Sequence, residues 1–146
     1  MSIDTRNSEG YADPTAFEAL SNLEYGKNKM LRTFRPIVYI CSPYSGDIDK
    51  NVAAAQKYSR FAVDKGYIPI APHLLFPQFL NDNDPKEREL GLFFANVLMS
   101  KCSEVWVFGE QISNGMASEI IRAYWKNYRL RYFTEDLEEK TDVYFI

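Results

Sequence analysis

Cysteine and histidine are scarce in this chain, with two of the first and one of the second among 146 residues. A structural zinc site takes four such ligands, more than Cys41, Cys102 and His73 supply at their spacings. A histidine-based triad has only His73 to draw on. A basic block is also missing. With 17 basic against 20 acidic residues and a formal charge of −3, no stripe is present to track the phosphates of a duplex. This turns the expectation towards small-molecule partners and away from nucleic acid. Long apolar runs are absent too. The longest stretch without a formal charge, Tyr67 to Asn81, is broken by Pro69, Pro72 and Pro77 and falls short of the roughly 20 apolar residues that cross a bilayer. No membrane partner is therefore expected. The first residues carry Asp4, Glu9 and Asp13 and no apolar core, which reads as neither a secretory signal nor a transit peptide. The expectation is a cytoplasmic protein with both thiols free.

What remains is an ordinary globular composition, 46% hydrophobic and 25% charged, at a length that fits one domain. Residues 1–35 read as an N-terminal arm with a short helix from Pro14 to about Lys29, its apolar positions Phe17, Leu20 and Leu23 recurring at helical spacing. Residues 36–146 read as the α/β domain. The β-branched run Ile37 to Cys41 predicts a buried strand, ended by Ser42-Pro43-Tyr44-Ser45-Gly46. From Asp47 to Lys65 apolar and small residues step by four and three, which predicts a helix capped by Gly66. Tyr67 to Ala71 reads as an edge strand because Pro69 cannot donate to a ladder. Pro72 to Asn83 reads as a long irregular binding loop. Asp84-Pro85-Lys86-Glu87 has the cap, first-turn proline and third-position acid of a helix start, and Leu90, Phe93, Phe94 and Val97 follow on it. Glu104 to Phe108 is a third strand, Ser113 to Tyr128 a helix, Leu130 to Phe133 a fourth strand, and Val143 to Ile146 a fifth. Alternating strands and helices predict a single-domain, Rossmann-like open parallel sheet with helices on both faces.

In such sheets ligands bind beyond the carboxyl ends of the strands. Two loops qualify. The first, Ser42 to Asp47, sets Ser42, Ser45 and Gly46 ahead of a helix N-terminus, where unpaired amides favour an anion. The same residues also describe an ordinary strand-to-helix turn capped by Asp47. The second loop leads through Ser113, Gly115 and Met116 to Glu119, four residues beyond Gly115 and so on the same helical face. The helix end would favour an ionised Glu119, and an ionised carboxylate facing a cleft suits attack on an anomeric carbon. The other reading of Glu119 is a solvated helix residue. His73 could meet a base edge or serve as a structural hydrogen bonder, and Arg88 could meet a phosphate or pair with Asp84.

The segments Tyr39-Ile40-Cys41-Ser42-Pro43-Tyr44, Lys101 to Gly109 and Ser113-Asn114-Gly115-Met116-Ala117-Ser118-Glu119-Ile120 resemble the nucleoside 2-deoxyribosyltransferase superfamily, over about residues 36 to 133. The likeness is greatest to its uncharacterised bacterial and phage branch. The resemblance implies a flavodoxin-like fold. It implies that Glu119 is the nucleophile that cleaves an N-glycosidic bond, oriented by a tyrosine of the first-strand loop, Tyr44 or Tyr39. Ser113 matches the serine that helps hold the 5′-phosphate in the family's deoxynucleoside monophosphate hydrolases. The chain departs from the family where an aspartate usually serves the leaving base, offering Ala95 and Asn96, and Ser103 stands where an aspartate is common.

The residues and the resemblance together predict an enzyme that cleaves or transfers at the N-glycosidic bond of a nucleoside or its 5′-monophosphate, a hydrolase or a transferase. Glu119 is its nucleophile and Tyr44 the orienter. Tyr39, Ser42, Ser45, Gly46, Asp47, His73, Arg88, Asn96, Ser113, Gly115 and Met116 are placed around the substrate. No cofactor and no metal are expected. Family members complete their pockets across a subunit contact, and the tail Val143-Tyr144-Phe145-Ile146 offers apolar area for one, so a homo-oligomer is expected. The alternative is a nucleotide-binding or sensing module of the same fold without turnover.

Overall fold

The apolar run past Pro36 forms strand β1 (Ile37–Cys41), and its alternation sorts the domain into two faces. Val38 and Ile40 point to one side, packing with Trp106, Phe108 and Phe133 and with Tyr58 and Ala62 of helix α2 (Ile48–Asp64). Tyr39 and Cys41 point to the other. There they join Val105 and Val107, Met99 of helix α4 (Pro85–Met99), and Met116, Ile120 and Ala123 of helix α5 (Asn114–Trp125). The computed structural model describes residues 14–29 and 33–141, in two units divided between Phe34 and Arg35. The first unit contributes helix α1 (Pro14–Lys29), in which Phe17 is half-buried while Leu20 and Leu23 are exposed.

The sheet of the second unit runs β2 (Ile68–Ile70), β1, β3 (Glu104–Phe108), β4 (Arg129–Phe133), β5 (Glu139–Lys140). The first four strands are parallel and β5 is antiparallel. The chain runs outward from β1 to β2 and then returns across β1 to β3. The carboxyl ends of β1 and β3 therefore flank the switch point at which the strand order reverses, the place where open α/β sheets hold ligands. Pro69 lies on the outermost strand opposite Val38, where its missing N–H costs nothing.

Side chains close the helix starts. Asp47 accepts from Lys50 N at 3.2 Å, Asp84 from Lys86 N at 3.0 Å, and Ser113 from Met116 N at 3.2 Å. Three expectations are corrected. Pro72 to Asn83 is not irregular throughout: Pro72 opens a one-turn helix, α3 (Pro72–Leu75), and Phe76–Gln78 forms a 3₁₀ turn, anchored by Phe76 against Phe94 at 5.5 Å. Glu87 does not close back on Asp84 but accepts from Asn81 N at 3.0 Å. The helix after β3 stops at Trp125, because Asn127 at φ +58° turns the chain left-handed before Tyr128. The fifth strand is Glu139–Lys140, carrying no apolar alternation to betray it and held by a two-pronged ion pair from Arg131 to Glu139 at 2.8 and 2.9 Å. Val143 to Ile146 lies outside the described residues, as do residues 1–13 of the arm.

Candidate active site

The period of two in β1 sends Tyr39 and Cys41 to the same side, and α5 lays Glu119 against both. The Tyr39 hydroxyl and the Cys41 thiol each reach towards the Glu119 carboxylate, and both favour its ionised form. Cys41 Sγ also lies 4.0 Å from the carbonyl of Met116, about one helical turn before Glu119. Burial dominates the electrostatics. It pushes the Glu119 carboxyl up from an ordinary 4.5 to about 7, against the pull of the two donors towards the ionised form. Burial, reinforced by the neighbouring Glu119 charge, raises Tyr39 and Cys41 well above their ordinary ranges, so both keep their protons and remain donors at neutral pH. A half-ionised carboxylate with two fixed donors can act as a nucleophile or as a base. The helix end favours an ionised Glu119, and burial works against it.

Glu119 and Tyr39 form part of the wall of a cavity of about 460 Å³ at the carboxyl ends of β1 and β3. Ser42, Tyr44 and Ser45 enter from the loop after β1, His73 from α3, Arg88 and Ala95 from α4, and Ser113, Gly115 and Met116 from the start of α5. Ser42 Oγ and His73 Nε2 are hydrogen-bonded at 3.0 Å, and the Tyr44 ring meets His73 edge-on at 6.3 Å. Burial lowers the His73 pKa to about 4, leaving a neutral ring at pH 7. Three expected residues are not in the lining. Asp47 is spent as the exposed cap of α2. Gly46 serves the backbone: at φ +99° it takes a conformation that a side chain would strain. Asn96 lies off the cavity wall, while its neighbour Ala95 faces in.

Other wall residues gave no sequence signal of their own. Phe76, Leu80, Gly91 and Leu92 give an apolar side, with Asp82, Glu87 and Asn114 as polar members. Asn51 stands behind the wall and donates to the carbonyls of Tyr44 and Ser45, each at 3.0 Å, pinning the loop that carries them. Its position in a helical repeat hid that role. Among the described residues there is no group of three or more His, Cys, Asp or Glu side chains that could hold a metal ion.

A family model covers residues 36–133, the span from the start of β1 to the end of β4. The chain belongs to the DUF7768 family. That family is described as a domain of unknown function. No curated protein matches the chain. Among solved structures, the DUF7768 domain is similar to a 2-deoxyribosyltransferase from the psychrotolerant bacterium Bacillus psychrosaccharolyticus, described as a biocatalyst for the synthesis of nucleosides. The TM-score is 0.55 at 16% identity, over 75% of this chain and 77% of that one. At that identity the likeness establishes a shared α/β fold.

Two departures noted in the sequence separate on this fold. Ser103 precedes β3 and donates its N–H to the Ile37 carbonyl at 2.7 Å, at the amino end of the sheet, so it has no part in the DUF7768 cavity. Ala95 is on the cavity wall.

Proposed function

We propose that this DUF7768 domain cleaves or exchanges the N-glycosidic bond of a nucleoside or nucleoside 5′-monophosphate, with Glu119 as nucleophile. The observation that carries the reading is the Glu119 carboxylate, held by Tyr39 and Cys41 on the wall of a nucleotide-sized cavity at the switch point. An oxygen of Glu119 attacks C1′, the C1′–N bond breaks with its electron pair passing to the base, and water or a second base then releases the sugar from Glu119. Tyr39 takes the orienting role in place of Tyr44, whose ring lies against His73 instead. Ser113, Gly115 and Met116 open α5 beside Glu119, and the amides of that helix end suit a sugar hydroxyl or a 5′-phosphate.

Incubation with a panel of nucleosides and their 5′-monophosphates, with released base read by chromatography, tests the reading. Base release is expected from at least one member. Calorimetry is expected to give tighter binding of the monophosphate than of the nucleoside; equal affinities would remove the phosphate from the proposal. Binding of the panel without any base release would favour a sensing module, the reading to which Ala95 lends its weight.

The domain is also proposed to self-associate. Leu90, Phe93 and Val97 of α4 are exposed, as are Ile121 and Trp125 of α5. A monomeric protein usually covers so much apolar helix surface. Light scattering at micromolar concentration is expected to give a mass of at least two chains, and a monomer would count against it.

A further inference from the structure

Cleavage of an N-glycosidic bond requires something to meet the charge that grows on the departing base, and the wall offers few groups for it. Ala95 has no polar atom. Glu87 is engaged by Asn81 N, and Asp82 and Arg88 are exposed. Tyr39 is already committed to Glu119. His73 is different: it is part-buried, framed by Tyr44, and tied through Nε2 to Ser42 just past the end of β1. One ring nitrogen, Nδ1, is left for a ligand.

We propose that His73 is the hydrogen-bond donor to the departing base, with Ser42 holding the ring in place. The proposal rests on the glycosidic reading above. Ser42 Oγ–H donating to Nε2 places the ring proton on Nδ1, and a neutral imidazole can donate it without bringing a competing charge into the cavity. As the C1′–N bond breaks, the electron pair moves into the base and spreads over its ring nitrogens and oxygens. The Nδ1–H bond stabilises that charge. One water completes the balance, its proton going to the base and its hydroxyl to C1′ as Glu119 is restored to a carboxylate. His73 ends each cycle with the proton it began with.

The test uses 2′-deoxyguanosine 5′-monophosphate and its N7-methyl derivative, whose cationic base departs neutral and needs little help. His73→Ala is expected to slow base release from the unmethylated nucleotide by about 10²- to 10³-fold. Release from the methylated one should change by less than about fivefold, since donation to the base is then worth little. Equal slowing on both would make His73 merely structural and overturn the proposal. Glu119→Ala should slow both, and if it slows neither, the glycosidic reading itself fails. A second measurement needs neither turnover nor a variant. His73 is the sole histidine, so its Nδ1 resonance in ¹⁵N-labelled wild-type protein reports on this ring alone. It is expected to shift on addition of 2′-deoxyguanosine 5′-monophosphate, and an unmoved resonance in a saturated complex would overturn the proposal. A wild-type protein that neither cleaves nor binds either nucleotide would overturn the proposal for His73, and the glycosidic reading falls with it only when no member of the wider panel is cleaved.

Discussion

Glu119→Gln is expected to lower base release by on the order of 10³-fold or more, with nucleotide binding and the fold retained. The amide keeps the shape and accepts from Tyr39 and Cys41 through its oxygen, but it cannot form the covalent link to C1′. The wild-type rate should rise with pH through about 7, as the buried carboxyl loses its proton and becomes a nucleophile. The same burial sets the sign of a stability effect. The folded-state pKa of Glu119, about 7, lies above its ordinary 4.5, so between those values the folded chain holds a proton that the unfolded chain has released. Stability from this group is complete below about pH 4.5, falls as pH rises, and is fully lost above about 7. Glu119→Gln removes that loss and should stabilise the protein at pH 8, by on the order of 1–3 kcal/mol, and not at pH 4. Chemical denaturation at the two pH values checks this. Equal stability changes at both would mean the carboxyl is not desolvated, and wild-type turnover in the variant would end the nucleophile reading.

Phe108→Ala should give the largest loss of stability, about 3–5 kcal/mol, seen as a lower denaturant midpoint. Phe108 is fully buried at the end of β3. Its ring stacks on Tyr58 of α2 at 4.2 Å and on Phe133 of β4 at 5.1 Å, with Phe61 edge-on at 6.2 Å. Removing it opens a void between α2 and β4. The ring lies on the α2 face, opposite Tyr39 and Glu119, so the folded variant should keep its affinity for nucleotides. A loss below about 1 kcal/mol would show that the aromatic stack relaxes into the gap.

The fold was legible wherever residues speak through periodicity or capping. Ile37 to Cys41 and Glu104 to Phe108 are short β-branched or aromatic runs buried on both faces, and Asp47, Asp84 and Ser113 mark helix starts by their own chemistry. The short elements escaped. α3 is a single turn, and Glu139–Lys140 is two charged residues whose pairing is decided by Arg131 reaching across the ladder. Glu119 was marked by its place on the helix after β3 together with the family resemblance, and Tyr39 by the resemblance of its segment alone. Which tyrosine faces Glu119 was not legible, since that depends on strand phase: Tyr39 lies within β1 with its side chain set by the pleat, whereas Tyr44 follows Pro43 in a loop with no such constraint. Cys41 read as the end of a buried strand, and its closeness to Glu119 appears only when α5 is laid across β1. The seat of His73 likewise depends on Ser42, 31 residues away, a distance no local pattern spans.

The two margins of the sheet share a property that governs how copies of this protein can meet. On one side β2 is three residues long and has Pro69 at its centre; on the other β5 is two charged residues paired with Tyr132 and Phe133, and the rest of β4 presents Arg129 and Arg131. Among the described residues, neither margin offers the flat, apolar row of free amides and carbonyls that lets one chain extend the sheet of the next into a fibril. The self-association proposed above would then fall to side chains on the helices, where packing area rather than main-chain pairing sets its strength. Growth into open-ended, sheet-templated assemblies is disfavoured even in a domain that leaves several large apolar side chains in water.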